Sequence, residues 1–160
     1  MLDCYLWQHN SIIKYFHDLL KSLIHDNNVE LYADLPGLFK GVSTIPANIL
    51  VTAQRPDMII IEKGAKKIVI VELSIPFETN IDNTHQRKID RYASLTNDLE
   101  SKNYSVHYFP FEVGARGYIS KDNQKSIKSI FSIFKIHTSF AVLRNSMAKL
   151  AILGSFIIYF

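Results

Sequence analysis

Asp57 and Glu72 are the two residues of this 160-residue chain whose types and spacing point most directly to chemistry. Asp57 precedes an apolar run at 58–61, and Glu72 follows a second run at 68–71. Both runs are short and β-branched, as fully buried strands are. The polar stretch 62–67 between them is short enough to make them antiparallel neighbours. With the loop centred on Gly64 and Ala65, Asp57 stands directly opposite Glu72. Opposite residues share a sheet face, with Cβ atoms ~4.5–5.5 Å apart. Two such carboxylates repel each other unless a cation sits between them, and hard oxygen donors suit Mg²⁺, with Mn²⁺ as the alternative. A register slip of one residue would put the side chains on opposite faces and remove the site.

A lysine is the second element of the constellation. Asn80 or Asp82 can cap a helix that runs to about Lys102, with Ile89, Tyr92, Leu95, Thr96 and Leu99 on its inner face. At a helical turn of 100° per residue, Lys88 and His85 fall within roughly 40° of the centre of that face. Arg87, Asp90 and Arg91 point away. A lysine turned towards a sheet is costly to bury without an anion, and the carboxylate pair supplies one. The competing reading has Lys88 reaching the rim with its stem buried. Tyr92 belongs to the core, its hydroxyl being a second candidate for contact with the site. Gln86 lies off the inner face and is read as a DNA or solvent contact.

The elements that must position these groups follow from periodicity and breakers. Residues 11–25 have helical spacing, with Ser11 or Asn10 as N-cap and with His17 and His25 exposed. A first strand is expected at 29–33. Pro36, Gly37, Gly41 and Pro46 mark 34–49 as loop, with room for a short strand near its end. Pro56 suits a strand start, since it has no N–H to give the ladder. Residues 104–111 read as a strand beside the hairpin, reached from the helix by a crossover. Residues 114–117 form a turn whose N–H groups, with Arg116, are candidates for holding a phosphate; a plain turn is the alternative. Residues 121–149 read as helix broken near 137–139, and Gly154 precedes a last strand at 156–160.

Composition places the chain among single-domain soluble proteins, residues 1–160 forming one unit with enough length for a core. The net charge of +3 is unevenly spread: residues 1–112 carry 11 Lys/Arg against 14 Asp/Glu, and residues 113–160 carry 7 against 1. An acidic centre beside a basic flank suits a metal next to phosphates, and a solvated helix face is the plain alternative. Lys121, Lys125 and Lys128 belong to that flank. The single cysteine, Cys4, excludes a disulfide framework and fits a reducing, intracellular compartment. No signal peptide is visible, and the apolar stretch 150–160 is short of the ~20 residues that span a bilayer, so no membrane association is expected.

The pattern resembles the PD-(D/E)XK nuclease superfamily, which binds a catalytic metal with an Asp and a second acidic residue on adjacent strands. Pro56-Asp57 and Glu72 match it, while Ser74 stands where the superfamily has its lysine. Trp7-Gln8-His9-Asn10, the run 32–37, Gln54-Arg55-Pro56-Asp57, the run 72–78 and the run 111–117 are similar to the restriction-like endonuclease domain of non-LTR retrotransposons. That resemblance covers nearly the whole chain. It implies an α/β fold, a restriction-endonuclease-like αβββαβ core with a mixed central sheet and C-terminal helices. It also implies Mg²⁺- or Mn²⁺-dependent DNA cleavage with Asp57, Glu72 and Lys88 as catalytic residues, the lysine being carried by the helix. Asp57 and Glu72 would be the metal ligands.

In such retroelements the domain nicks a chromosomal target so that the exposed 3′ end primes reverse transcription. The resemblance therefore implies DNA and the reverse-transcriptase part of a longer polypeptide as partners, and action in the nucleus. Arg55, Arg116, Lys121, Lys125 and Lys128 would hold phosphates, which gives affinity rather than sequence choice. Glu30 corresponds to an extra acidic residue of many relatives, with a rim charge as the alternative. Gln8 stands where the family usually has arginine. Cys4 is read as a plain thiol, or as the last ligand of a zinc motif that the family carries upstream. Two other functions compete: a DNA-binding domain of this fold that no longer cuts, and a host resolvase or repair nuclease.

Overall fold

A computed structural model describes residues 2–159. The order of elements is α1 (Leu2–Leu23), β1 (Val29–Ala33), β2 (Met58–Glu62), β3 (Lys67–Ser74), a 3-10 turn (Glu78–Asn80), α2 (Ile81–Ser101), β4 (Ser105–Glu112), α3 (Lys121–Ile133) and α4 (Phe140–Tyr159). The four strands form one mixed α/β sheet in the order β1-β2-β3-β4. β1, β2 and β3 are antiparallel neighbours, and β4 runs parallel to β3 after the α2 crossover.

Alternation along the strands divides the core in two. Met58, Ile60, Val69, Val71 and Leu73 pack with Phe16 of α1, Ile127 of α3 and Met147 of α4. Ile59, Ile61, Ile68 and Ile70 point the other way, against Tyr92, Leu95 and Leu99 of α2. Each fully buried aliphatic side chain contributes about 1.5–3 kcal/mol. Because both faces are apolar, alternation alone does not fix the hairpin register. The turn and the charged ends do. Glu62 pairs with Lys67 and Met58 with Val71, the chain reversing at Lys66, whose φ is 48°. A slip of one residue would drive Glu72 into the core beneath α1 and α3.

Several expectations are corrected. α1 begins at Leu2 rather than Ser11 and ends at Leu23, so Gln8, His9 and Asn10 lie within it. The buried positions Gln8, Ile12, Ile13, Phe16, His17 and Leu20 continue one helical stripe past the supposed cap. A polar residue at position 8 disguised that stripe. Its Nε2 donates to the Ala151 carbonyl at 2.6 Å and to Ser155 Oγ at 2.9 Å. His17 is buried rather than exposed, its Nδ1 lying 3.0 Å from Asp18 Oδ1.

The expected last strand is helix: residues 156–159 end α4, and Phe160 lies outside the described residues. Phe156, Ile157 and Ile158 have strand propensity, but α4 lies along α1 and packing overrides it. Gly154 makes this contact, since a Cβ there would stand 2.6 Å from Gln8 Cβ. The apolar stretch is also longer than 150–160. By length and composition residues Phe140–Ile158 are enough to cross a membrane, with mean hydropathy 1.4 and 22% of that window buried.

The loop 34–57 holds no strand. Ile45 and Ile49 anchor it in the α2-side core. Ile89, placed on the inner face of α2 by its spacing, is 36% exposed.

Candidate active site

The ends of β2 and β3 bring Asp57 and Glu72 together as the spacing implies. Continuing the pairing of Met58 with Val71 by one residue sets them opposite each other. Each carboxylate is then held by the other strand's backbone. The Asp57 N–H donates to Glu72 Oε2 at 3.1 Å, and the Leu73 N–H donates to Asp57 Oδ2 at 2.7 Å. Lys88, on the inner face of α2, places its Nζ 2.5 Å from Glu72 Oε1, the two side chains being 17% and 4% exposed. Burial raises the pKa of Glu72, and the Asp57 charge raises it further; the charge and hydrogen bond of Lys88 and the Asp57 N–H oppose this.

Three side chains complete this end. His9 Nε2 lies 3.1 Å from Asp57 Oδ2, and its Nδ1 lies 3.3 Å from Asn10 Oδ1. Burial disfavours its charged form. The hydrogen bond and charge of Asp57, with Asn10 and the Glu72 charge, outweigh this and leave its pKa raised. Both ring nitrogens are thus engaged. Tyr92 is buried; burial and the charge of Glu72 push its hydroxyl pKa above the ordinary range. Tyr108 lies beside it, the ring centroids 5.5 Å apart and the planes tilted by 35°, and donates to the Lys88 carbonyl at 2.9 Å. Burial and Glu72 raise its pKa likewise. Asp57, Glu72, Lys88 and Tyr92 therefore share one site.

One turn earlier on α2, His85 Nδ1 lies 3.2 and 3.1 Å from the two oxygens of Glu112. Glu112 ends β4, is 1% exposed and stands opposite Ser74 in the parallel ladder. Asn123 of α3 donates to its backbone carbonyl at 2.9 Å. Ser74 closes β3, two residues beyond Glu72.

Other expected residues lie around or away from this centre. Arg55 stacks 4.0 Å over Phe39 and bonds Asp34 Oδ1 at 2.7 Å. With His9, Asn10 and Asp57 it lines an open cleft of about 430 Å³. Gln86 is exposed and donates to Asp90 at 2.9 Å. Lys121, Lys125 and Lys128 are exposed on α3, where Lys125 pairs with Asp122 at 2.9 Å and Lys128 lies 5.3 Å from the Phe140 ring.

Glu30 does not join the carboxylates. In the antiparallel pairing it stands opposite Ile61, near the hairpin turn, where it binds Lys63 at 2.5 Å and Tyr32 at 2.9 Å. The turn 114–117 is a plain one. Its N–H groups are taken by the Tyr118 carbonyl, the Pro76 carbonyl, Glu78 Oε1 and the Gly114 carbonyl in order, which leaves only the exposed Arg116 side chain for an anion. Position 8 lies in the α1–α4 seam, so arginine and glutamine there would not be equivalent.

Sequence reasoning assigned no role to His9, Asp34, Tyr108 or the His85–Glu112 pair. The inward phase of His85 and a glutamate closing an otherwise apolar strand were the available signals for that pair. Among the described residues no three His, Cys, Asp or Glu side chains converge as a metal-binding group, and Cys4 is half-buried and free. Two facing carboxylates nevertheless fit Mg²⁺, which is typically held by one or two carboxylates, several waters and substrate phosphate. No family model matches this chain, and neither does any curated protein.

Proposed function

We propose that this chain is a metal-dependent DNA endonuclease of PD-(D/E)XK type, with a restriction-endonuclease-like core. The observation that carries the reading is the convergence of Asp57 and Glu72 on neighbouring strand ends with the Lys88 ammonium on Glu72. The αβββαβ order, with an antiparallel hairpin followed by a parallel strand, supports the fold. Asp57 and Glu72 would hold Mg²⁺ or Mn²⁺. Such an ion supplies Lewis acidity at a phosphoryl oxygen and lowers the pKa of a bound water.

The protein's own groups then have separable roles. Lys88 neutralises Glu72 and offers an ammonium to the charge that grows on phosphate during attack. Tyr108 fixes the backbone of Lys88, and Tyr92 packs beside it. His9 orients Asp57. Arg55, at the open cleft, and the α3 lysines would meet the DNA backbone. Nicking of a chromosomal target by a retroelement polypeptide, inside the nucleus, is the context that the family resemblance implies.

Ser74 at the superfamily's lysine position favours a second reading, a DNA-binding domain that no longer cuts. Purified protein with supercoiled plasmid separates the two. Nicking with Mg²⁺ or Mn²⁺, lost in chelator and in Asp57→Asn and Glu72→Gln, is the expected result, with a calorimetric metal-binding signal that either substitution weakens. Binding without nicking would leave the second reading. Equal cleavage in excess chelator would refute metal dependence.

A further inference from the structure

The site holds one side chain built to accept a proton, and it is not among the groups used above. Lys88 has only donors to offer. The hydroxyls of Tyr92 and Tyr108 have raised pKa values and stay protonated. Both nitrogens of His9 are engaged, by Asn10 and by Asp57. His85 differs. Its Nδ1 is fixed between the two oxygens of a carboxylate that is 1% exposed. That bond holds the proton on Nδ1 and turns Nε2 outward as the acceptor. Among the described residues Nε2 has no hydrogen-bond partner, and the side chain is 39% exposed.

Its position is as specific as its orientation. His85 and Lys88 are three residues apart on the inner face of α2, about 4.5 Å along the helix. Beneath them Glu72 and Ser74 follow one another on one face of β3, and Glu112 stands beside Ser74. The pairs Lys88–Glu72 and His85–Glu112 thus form two adjacent rungs between helix and sheet. The charged groups near the imidazole include Glu112 from β4, Lys88 on its own helix, and Asp122 in the first turn of α3.

Resting on the nuclease reading, we propose that His85 is a further catalytic residue, which takes the proton of the attacking water at Nε2 while Glu112 positions the ring. As the O–H bond breaks and its proton moves to Nε2, the water oxygen forms a bond to phosphorus and the P–O3′ bond breaks. The departing 3′ oxygen takes a proton from solvent, and His85 returns its own proton to solvent. The products are a 5′ phosphate and a 3′ hydroxyl.

Single-turnover cleavage of pre-bound duplex DNA by wild type, His85→Ala, His85→Gln and Glu112→Gln tests this. Affinity for the same duplex is measured separately in chelator. Both His85 variants should cut about 10²–10⁴-fold more slowly, the usual contribution of a positioned proton acceptor, with chelator-phase affinity within twofold of wild type. Added imidazole should restore part of the rate to His85→Ala. In the metal-free protein, ¹⁵N NMR should show His85 protonated on Nδ1, with that preference lost in Glu112→Gln. His85→Gln keeps a donor for Glu112 and guards against a folding defect in the alanine variant. Unimpaired cutting by His85→Gln would overturn the proposal while the nuclease reading stands. So would a loss confined to DNA affinity, which marks a phosphate contact, or a rate loss that imidazole does not relieve. Absence of cleavage by the wild type with either metal would remove the nuclease reading and this inference with it.

Discussion

Replacing Lys88 with Met removes the cation from the buried end of the hairpin and keeps most of the stem's volume. Glu72, with its side chain 4% exposed, would then face Asp57 without its lysine. Breaking a buried pair from one side costs about 3–5 kcal/mol. The carboxylate has an escape, because it can take up a proton. At pH 7 that uptake, against an ordinary glutamate affinity, costs about 3.7 kcal/mol and caps the loss. The expected deficit of Lys88→Met in metal-free protein at pH 7 is therefore about 3 kcal/mol, a large part of the 5–15 kcal/mol typical of a domain.

The pH dependence follows from the direction of the Glu72 shift. Its folded pKa is raised, so its contribution to stability is fully present below the unfolded pKa and is lost as pH rises through the folded one. Without Lys88 the shift grows. At pH 5 the cap falls to about 1 kcal/mol, and most of the deficit should vanish. Glu72→Gln removes the repulsion with Asp57 and leaves Lys88 near the rim, so it should stay within about 1 kcal/mol of wild type. The double variant should do the same, as buried pairs exchanged together are often neutral. Urea unfolding of the four proteins at pH 7 and pH 5, in chelator, measures all of this. The ammonium and a metal ion compete for Glu72, so Lys88→Met should bind Mg²⁺ more tightly in calorimetry without DNA. Equal urea midpoints for Lys88→Met and wild type at pH 7, or a deficit undiminished at pH 5, would refute the reasoning.

Gly154→Ala should destabilise the protein by about 1–3 kcal/mol, as overpacking does, since the new Cβ would stand 2.6 Å from Gln8 Cβ; adding Gln8→Ala should recover part of the loss in thermal unfolding. Neutralising Lys121, Lys125 and Lys128 should weaken DNA binding for every sequence tried. The logarithmic salt slope should shrink by about 0.9 for each phosphate that the variant no longer neutralises. An unchanged slope would mean that this exposed face of α3 does not meet DNA.

The hairpin and its pair of carboxylates were legible in the chain itself, because short β-branched runs joined by a brief polar turn have one economical pairing. Residues 29–33 and the inward phase of Lys88 were legible for a related reason, since both rest on local periodicity. The two ends of the chain were not. The start of α1 hid behind Gln8, a polar residue on a buried stripe whose partners, Ala151 and Ser155, lie at the other end of the sequence. The strand-like run at the C-terminus became helix because Gly154 lets α4 lie against α1.

Around the site the division is similar. Residue type and phase indicated Asp57, Glu72 and Lys88, whereas Glu30, attractive as a third acid, was removed by antiparallel pairing that carries it to the turn. The amides of 114–117 looked free until Pro76 and Glu78 were brought to them by the chain's return. His9 on Asp57 and His85 on Glu112 depend on contacts between helix and strand that no spacing encodes. Local pattern determines which way a side chain faces along its own element; what it meets there is decided only when the elements pack.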